Sequence, residues 1–233
     1  MDLVSQNLLL TSGGGKKSTY VDDVFHTEVF VSPNQNADYK VTNNIDNAGE
    51  GGFLWYKQRN GTSWHLQWDT ARGSNKYIYS NSSSAESTSE LLKSFDSDGY
   101  TIKTGTTLVD PARENVLWNF RNAPGFFDVV TFTSTGAANQ RIPHSLECEP
   151  GLIICKCVST SSYWVVYHKQ IPILNPSDPW SKSLLLDETY AAGTLASDTW
   201  GTGPTSTDFG FKAGGFAASG TDWVAYVLSL IHI

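Results

Sequence analysis

Charge is scarce in this chain. Asp, Glu, Lys and Arg together make up 17% of the 233 residues, and Lys16-Lys17 is the densest basic run. Nucleic-acid binding needs phosphate-neutralising cations gathered on one face. A net charge of −7 with dispersed Lys and Arg therefore argues against it, and against acidic membrane surfaces. No apolar run is long enough to span a bilayer, so no membrane insertion is expected. The opening Met1-Asp2-Leu3-Val4-Ser5-Gln6-Asn7 lacks the basic and apolar regions of a signal peptide.

Cysteine is rare as well. Only Cys148, Cys155 and Cys157 occur, an odd count. In a strand, Cys155 and Cys157 would share a face with Cα atoms roughly 6.6 Å apart, at the far limit of disulfide geometry. A lone C-x-C is a weak metal signal, so free, packed thiols are expected, in keeping with a reducing compartment. Sustained helical periodicity is missing too. The best helix candidate, Ser84 to Lys93, allows one or two turns, with a loop as the alternative. Neither H-E-x-x-H, G-x-S-x-G, a P-loop nor a dinucleotide fingerprint occurs, so nothing motivates catalysis and no cofactor is expected.

What is present is Ser, Thr, Asn and Gly, with 12% aromatics including eight Trp. Such a composition suits pleated, half-buried surfaces joined by tight turns, an all-β chain. The sequence also starts over. Gly52-Phe53-Leu54-Trp55-Tyr56-Lys57 returns 99 residues later as Gly151-Leu152-Ile153-Ile154-Cys155-Lys156. An aromatic-rich strand follows in each copy, at 63–68 and 163–168, then a Lys-led strand from Lys76 and from Lys182. Strands are expected at 24–32, 53–59, 63–69, 75–80, 98–103 and 114–121. The second set is 126–133, 151–158, 162–169, 182–187, 208–212 and 222–229.

A repeat of this size is large enough to be a domain. The organisation expected is a lead-in over 1–23, modules over 24–123 and 124–229, and a doubtful tail over 230–233. Many short strands without crossover helices imply antiparallel sheets. The expected fold is two tandem antiparallel β-sandwich modules of jelly-roll or lectin-like type. One large concanavalin-like sandwich built from both copies is the alternative. The Pro124-Gly125 turn hinges the copies closely, and Phe126 and Phe127 are expected to seal them together.

Several stretches make the chain resemble a known module. They are Asp22-Asp23-Val24-Phe25, Gly49 to Lys57, Asp69-Thr70-Ala71-Arg72-Gly73-Ser74-Asn75-Lys76, Ser94 to Tyr100, and Ala123 to Thr131. Together they resemble a tandem module of about a hundred residues from tailed-bacteriophage virion and tail-fibre-like proteins, a domain of unknown function. The resemblance implies a virion setting and, as partners, other virion subunits, host cell-surface glycan and further copies of the chain. Two features depart from it. Gln170 to Ser177 replaces a short glycine-containing turn, and the second copy lacks the Asp-Thr-x-Arg-Gly motif. The ending Leu228-Ser229-Leu230-Ile231-His232-Ile233 also differs from the family's close and resembles translated adapter read-through.

Trp64, His65, Trp68, Asp69 and Arg72 form the richest cluster. Aromatic faces stack on the C–H surfaces of sugars while Asp and Arg bond hydroxyls, so Trp64, His65, Asp69 and Arg72 are the candidate binding residues. The same residues also read as scaffold. In a strand Trp64, Leu66 and Trp68 would share a core face, and Asp69 could pair with Arg72 across a turn. Asp96-Ser97-Asp98-Gly99 lacks the later ligands of a calcium loop and reads as a tight turn. Glu147 and Glu149 read as solvated loop carboxylates.

The expected function is a virion structural or host-recognition component of a tail fibre or adhesin, without catalysis. A ligand-free spacer or capsid decoration module is the alternative, and a jelly-roll carbohydrate-active enzyme a third.

Overall fold

The computed structural model describes residues 19–32, 37–103, 105–106, 108, 112–171, 180, 182–193, 199–212 and 218–230. Most of the lead-in, most of the 170–177 departure and the last three residues lie outside that range. The first half contributes β1 (Phe25–Val31), β2 (Tyr39–Thr42), β3 (Gly52–Gln58), β4 (Leu66–Asp69), β5 (Lys76–Tyr79), β6 (Ser87–Thr88), β7 (Leu92–Asp96), β8 (Gly99–Ile102) and β9 (Glu114–Arg121). The second half contributes β10 (Phe127–Thr133), β11 (Gln140–Pro143), β12 (Leu152–Cys157), β13 (Trp164–His168), β14 (Leu184–Leu185), β15 (Asp208–Phe211) and β16 (Asp222–Leu228). A 3-10 helix over Val21–Asp23 leads into β1, and a short α-helix, α1 (Asn47–Glu50), precedes β3, with Asp46 accepting from the Gly49 amide at 2.7 Å.

The chain is all-β, and every named strand pair is antiparallel. The first half builds a six-stranded sheet, β1-β9-β3-β4-β5-β6, and a three-stranded sheet, β2-β8-β7. The second half builds a five-stranded sheet, β10-β16-β12-β13-β14, and a pair, β11-β15. The five strands of the second large sheet follow the order of the first five of the other, and β6 has no counterpart. Register agrees as well. Phe120 sits opposite both Phe25 and Phe53, and Leu228 sits opposite both Phe127 and Leu152. Each sheet draws its strands from one half only.

Within a half, the small sheet covers one face of the large one. In the first, Leu54, Tyr56, Trp68 and Leu117 meet Val41, Tyr100 and Ile102. In the second, Ile153, Cys155, Tyr167 and Ala225 meet Ile142, Phe209 and Phe211. The three thiols are free, and Cys155 and Cys157 are buried in that second core, where burial pushes the Cys155 pKa up.

A third core joins the halves. Phe53 and Ile78 from the first large sheet pack on Phe127, Val129, Trp164, Val224 and Tyr226 from the second. The Phe53 and Tyr226 ring centroids are 4.3 Å apart. Phe127 is buried in this seam and Phe126 packs against it, as expected from the sequence.

The repeated glycines open the two central strands where no side chain fits. A Cβ at Gly52 would run into the carbonyl oxygen of Phe120, which is backbone. At Gly151 it would meet the flexible side chain of Leu230, which packs there at the end of the described chain. Gly52→Ala is expected to cost about 2–3 kcal/mol, because backbone cannot step aside, and Gly151→Ala about 1 kcal/mol. Urea titration of the two variants measures that order.

Ser84 to Lys93 is not helical. Ser87–Thr88 pairs with β5, and β7 begins at Leu92 and pairs with β8. Long-range pairing wins there because the segment has no apolar stripe to bury as a helix. Asp96 to Gly99 is the turn between β7 and β8, and its Asp96 carboxylate accepts from the hydroxyls of Ser94 and Thr101, both at 2.7 Å.

Candidate functional site

The four residues singled out from the sequence go to three places. Strand β4 begins only at Leu66, so Trp64 lies in the loop before it, on the core side of the sheet but at the mouth of the core and not packed within it as Trp68 is. Trp64 and His65 then point to opposite sides of the sheet.

Trp64 remains 49% exposed and packs edge-on against Tyr79, with ring centroids 4.6 Å apart. It forms one rim of a cleft of about 340 Å³. Tyr56, Leu66, Leu91 and Leu108 supply apolar walls, and Ser63 and Arg113 supply polar ones. Arg113 is held in place by donating to Gln58 Oε1 at 3.1 Å and to Ser63 Oγ at 3.4 Å. An aromatic rim with fixed polar groups beside it suits a ligand that has both an apolar face and hydroxyls.

His65 lies against the other face. Its Nδ1 accepts from Trp55 Nε1 at 3.1 Å, and Trp55 stands edge-on to Trp118. Partial burial, with the Lys57 charge adding to it, pushes the His65 pKa below its ordinary value. The neutral ring can therefore act as the acceptor.

Asp69 and Arg72 are in the seam. Arg72 Nε and Nη2 reach Asp69 Oδ2 at 2.7 and 2.6 Å, and the Arg72 amide donates to Asp69 Oδ1 at 2.9 Å. The pair does close across the turn after β4. Its third member, Tyr226, comes from the second half and donates its hydroxyl to Asp69 Oδ2 at 2.9 Å. Glu86 accepts from Arg72 Nη1 at 3.2 Å and pairs with Lys76 at 2.9 Å.

The Asp69 side chain is fully buried and that of Arg72 is 4% exposed. Burial opposes the Arg72 charge, but Tyr226, Asp69 and Glu86 outweigh it and raise the Arg72 pKa. Burial, then the Asp69 charge, raises the Tyr226 pKa well above normal, so its hydroxyl stays a donor. This network ties the halves together and turns no free group to solvent.

A second concavity of about 480 Å³ opens at the edge of the seam, between Lys76 and Glu86 on one side and Thr131, Ser159 and Asp222 on the other. Its charged groups are engaged with protein partners. Lys76 and Arg72 hold Glu86, and Thr133 Oγ1 donates to Asp222 at 2.7 Å. The Trp64 cleft has the stronger claim as a site because it presents a half-exposed aromatic at its rim.

Lys57 and Lys156, the last residues of the repeated motif, share a task. Each lies beside the hairpin between its half's two central strands and ties down carbonyls there. Lys57 Nζ donates to the Gly61 and Ser63 carbonyls at 3.2 and 2.7 Å. Lys156 Nζ donates to the Cys157 and Ser162 carbonyls, both at 2.9 Å, and across the seam to that of Ser83 at 3.1 Å. Burial pushes the Lys156 pKa down to about 8. The motif alone could have marked both lysines as structural, since Lys recurs at the same step after the glycine.

Among the described residues, no cluster of three or more His, Cys, Asp or Glu is arranged to hold a metal ion, and Glu147 and Glu149 are exposed. No described helix is long and apolar enough to cross a membrane. Comparison with curated proteins and with solved structures finds no match. A family described as Domain of unknown function (DUF7483) matches residues 23–232, nearly the whole of both halves, and the chain belongs to that family.

Proposed function

We propose that the chain is a recognition module of a virion, of the tail-fibre or tail-associated adhesin kind, that binds cell-surface sugars in the Trp64 cleft and carries out no chemistry on them. The setting rests on the resemblance of its repeated motifs to tailed-bacteriophage modules. The ligand reading rests on one observation: a half-exposed Trp64 beside Tyr79, Ser63 and Arg113, on the side of the sheet turned away from the seam. The indole offers its face to a pyranose ring, and Arg113 and Ser63 meet hydroxyls at its edge. Sandwiches suit such a task because their connecting loops can vary while the core holds.

A glycan array tests this. Reproducible binding that falls at least tenfold in Trp64→Ala, with the circular dichroism spectrum unchanged, supports recognition at the cleft. Binding unaffected by the substitution moves the site elsewhere. The absence of binding favours a second reading, a ligand-free spacer or decoration module. That reading has its own support, since Asp69 and Arg72 serve the seam and not a surface.

A further inference from the structure

The Trp64 cleft is built unequally, and the inequality narrows what can fill it. One wall is the large sheet of the first half, where Leu66 stands opposite both Tyr56 and Tyr79. Leu91, just before β7, and Leu108, beyond β8, complete the apolar lining. Tyr56, Leu66 and Leu108 are buried members of the first core, which the cleft reaches at the mouth of the sandwich.

Polar groups on these residues are bonded within the protein. The Tyr56 hydroxyl donates to Asn115 Oδ1 at 2.6 Å. The Leu91 amide donates to Ser89 Oγ, and its carbonyl accepts from the Lys103 amide, both at 3.1 Å. The Leu108 carbonyl accepts from Ser32 Oγ at 2.8 Å. Among the described lining residues, hydrogen-bonding capacity gathers instead around Ser63 and Arg113. Ser63 Oγ donates to Gln58 Oε1 at 2.5 Å and accepts from Arg113 Nη1 at 3.4 Å, which leaves it an acceptor position for a ligand O–H. The Tyr79 hydroxyl donates to that of Tyr77 at 3.4 Å and also keeps acceptor capacity.

An ordinary hexose carries hydroxyls all round its rim, including the one on C6. Seated against Trp64, it would turn part of that rim toward the leucines. A hydroxyl stripped of water there without a partner is unfavourable, whereas a methyl in the same place gains by leaving water. Resting on the sugar reading of this cleft, we propose that its ligand is a 6-deoxyhexose, with the C6 methyl against Leu66, Leu91 and Leu108 and the ring hydroxyls toward Ser63 and Arg113. An acetamido group also brings a methyl, but it adds an N–H and a C=O to be satisfied. A cleft of about 340 Å³ is at the small end of ligand pockets, which suits one terminal sugar more than the middle of a chain.

Saturation-transfer NMR with methyl glycosides in matched pairs tests it. L-fucose against L-galactose, and L-rhamnose against L-mannose, differ only in having a methyl or a hydroxymethyl at C5. N-acetylglucosamine against glucose tests the acetamido group. At least one deoxy sugar is expected to bind about tenfold tighter than its partner, the scale of one buried hydroxyl left unpaired. Its methyl protons are expected to receive the strongest saturation, and Trp64→Ala to abolish binding. Leu91→Ser, at a partly buried position, is expected to shrink the preference by giving the C6 hydroxyl a partner. Equal binding within every pair, lost in Trp64→Ala, would overturn the deoxyhexose assignment and leave sugar recognition standing. So would a stronger preference for the acetamido sugar, or a Leu91→Ser chain whose preference is unchanged. Glycans that bind the array through Trp64 and contain no 6-deoxyhexose would overturn it in the same way. Failure of every sugar, in the pairs and on the array, would remove the sugar reading itself.

Discussion

Asp69→Ala is expected to destabilise the chain by about 3–5 kcal/mol, the range for removing one partner of a buried ion pair. The substitution leaves the Arg72 guanidinium buried with Glu86 as its remaining carboxylate, and it takes away the acceptor of the Tyr226 hydroxyl. The double replacement Asp69→Leu with Arg72→Met is expected to recover part of the loss, because an apolar pair removes the desolvated charge along with its partner. Urea denaturation of the three chains gives the comparison. A loss for Asp69→Ala below about 1 kcal/mol, the range of exposed pairs, would mean that water reaches the guanidinium and that the seam is not dry.

Trp164→Ala is expected to be as damaging, at about 3–5 kcal/mol for a large aromatic removed from a packed core. Trp164 is fully buried, stacks on Tyr226 with centroids 6.4 Å apart, and sends its indole N–H to two carbonyls of the other half. Trp164→Phe separates the contributions, keeping most of the packing and leaving those carbonyls without their donor. Its expected cost is about 1–2 kcal/mol, a lost hydrogen bond at a buried site. The counterpart substitution His65→Ala is the control. It lies where no second half packs and is expected to stay within about 0.5 kcal/mol. Equal losses at 164 and 65 would contradict the seam.

That contrast shows how far the sequence could be read. The two Trp residues, at 64 and 164, look alike in their motifs. Their fates differ because Leu66 pairs with Tyr56 where Val165 pairs with Cys155, which makes His65 and not Trp64 the counterpart of Trp164. A shift of one residue in a strand exchanges faces, and nothing local to Trp64 marks where pairing begins. The central strands were legible, since Gly52 and Gly151 open them and alternating apolar residues follow. So was the Asp69–Arg72 pair, three residues apart around a turn.

Its third member was not legible: Tyr226 lies 157 residues away from Asp69, and only the stacking of the two sheets brings it there. Short strands such as Tyr39–Thr42 and Gln140–Pro143 were missed for the same reason. Each is defined by a distant partner, Gly99–Ile102 in one case and Asp208–Phe211 in the other, more than by its own pattern. The Trp64 cleft gathers Tyr56, Leu91, Leu108 and Arg113 from separate stretches, so one wall was readable and the concavity was not.

The central claim is that the halves, each with its own sandwich core, are fused by a third core and behave as one body. Differential scanning calorimetry tests it most directly, at a concentration where the chain is monomeric. The shared seam predicts one transition whose calorimetric and van't Hoff enthalpies agree. Two resolved transitions in the unmodified chain, one for each half, would show that the seam contributes little and would contradict the account.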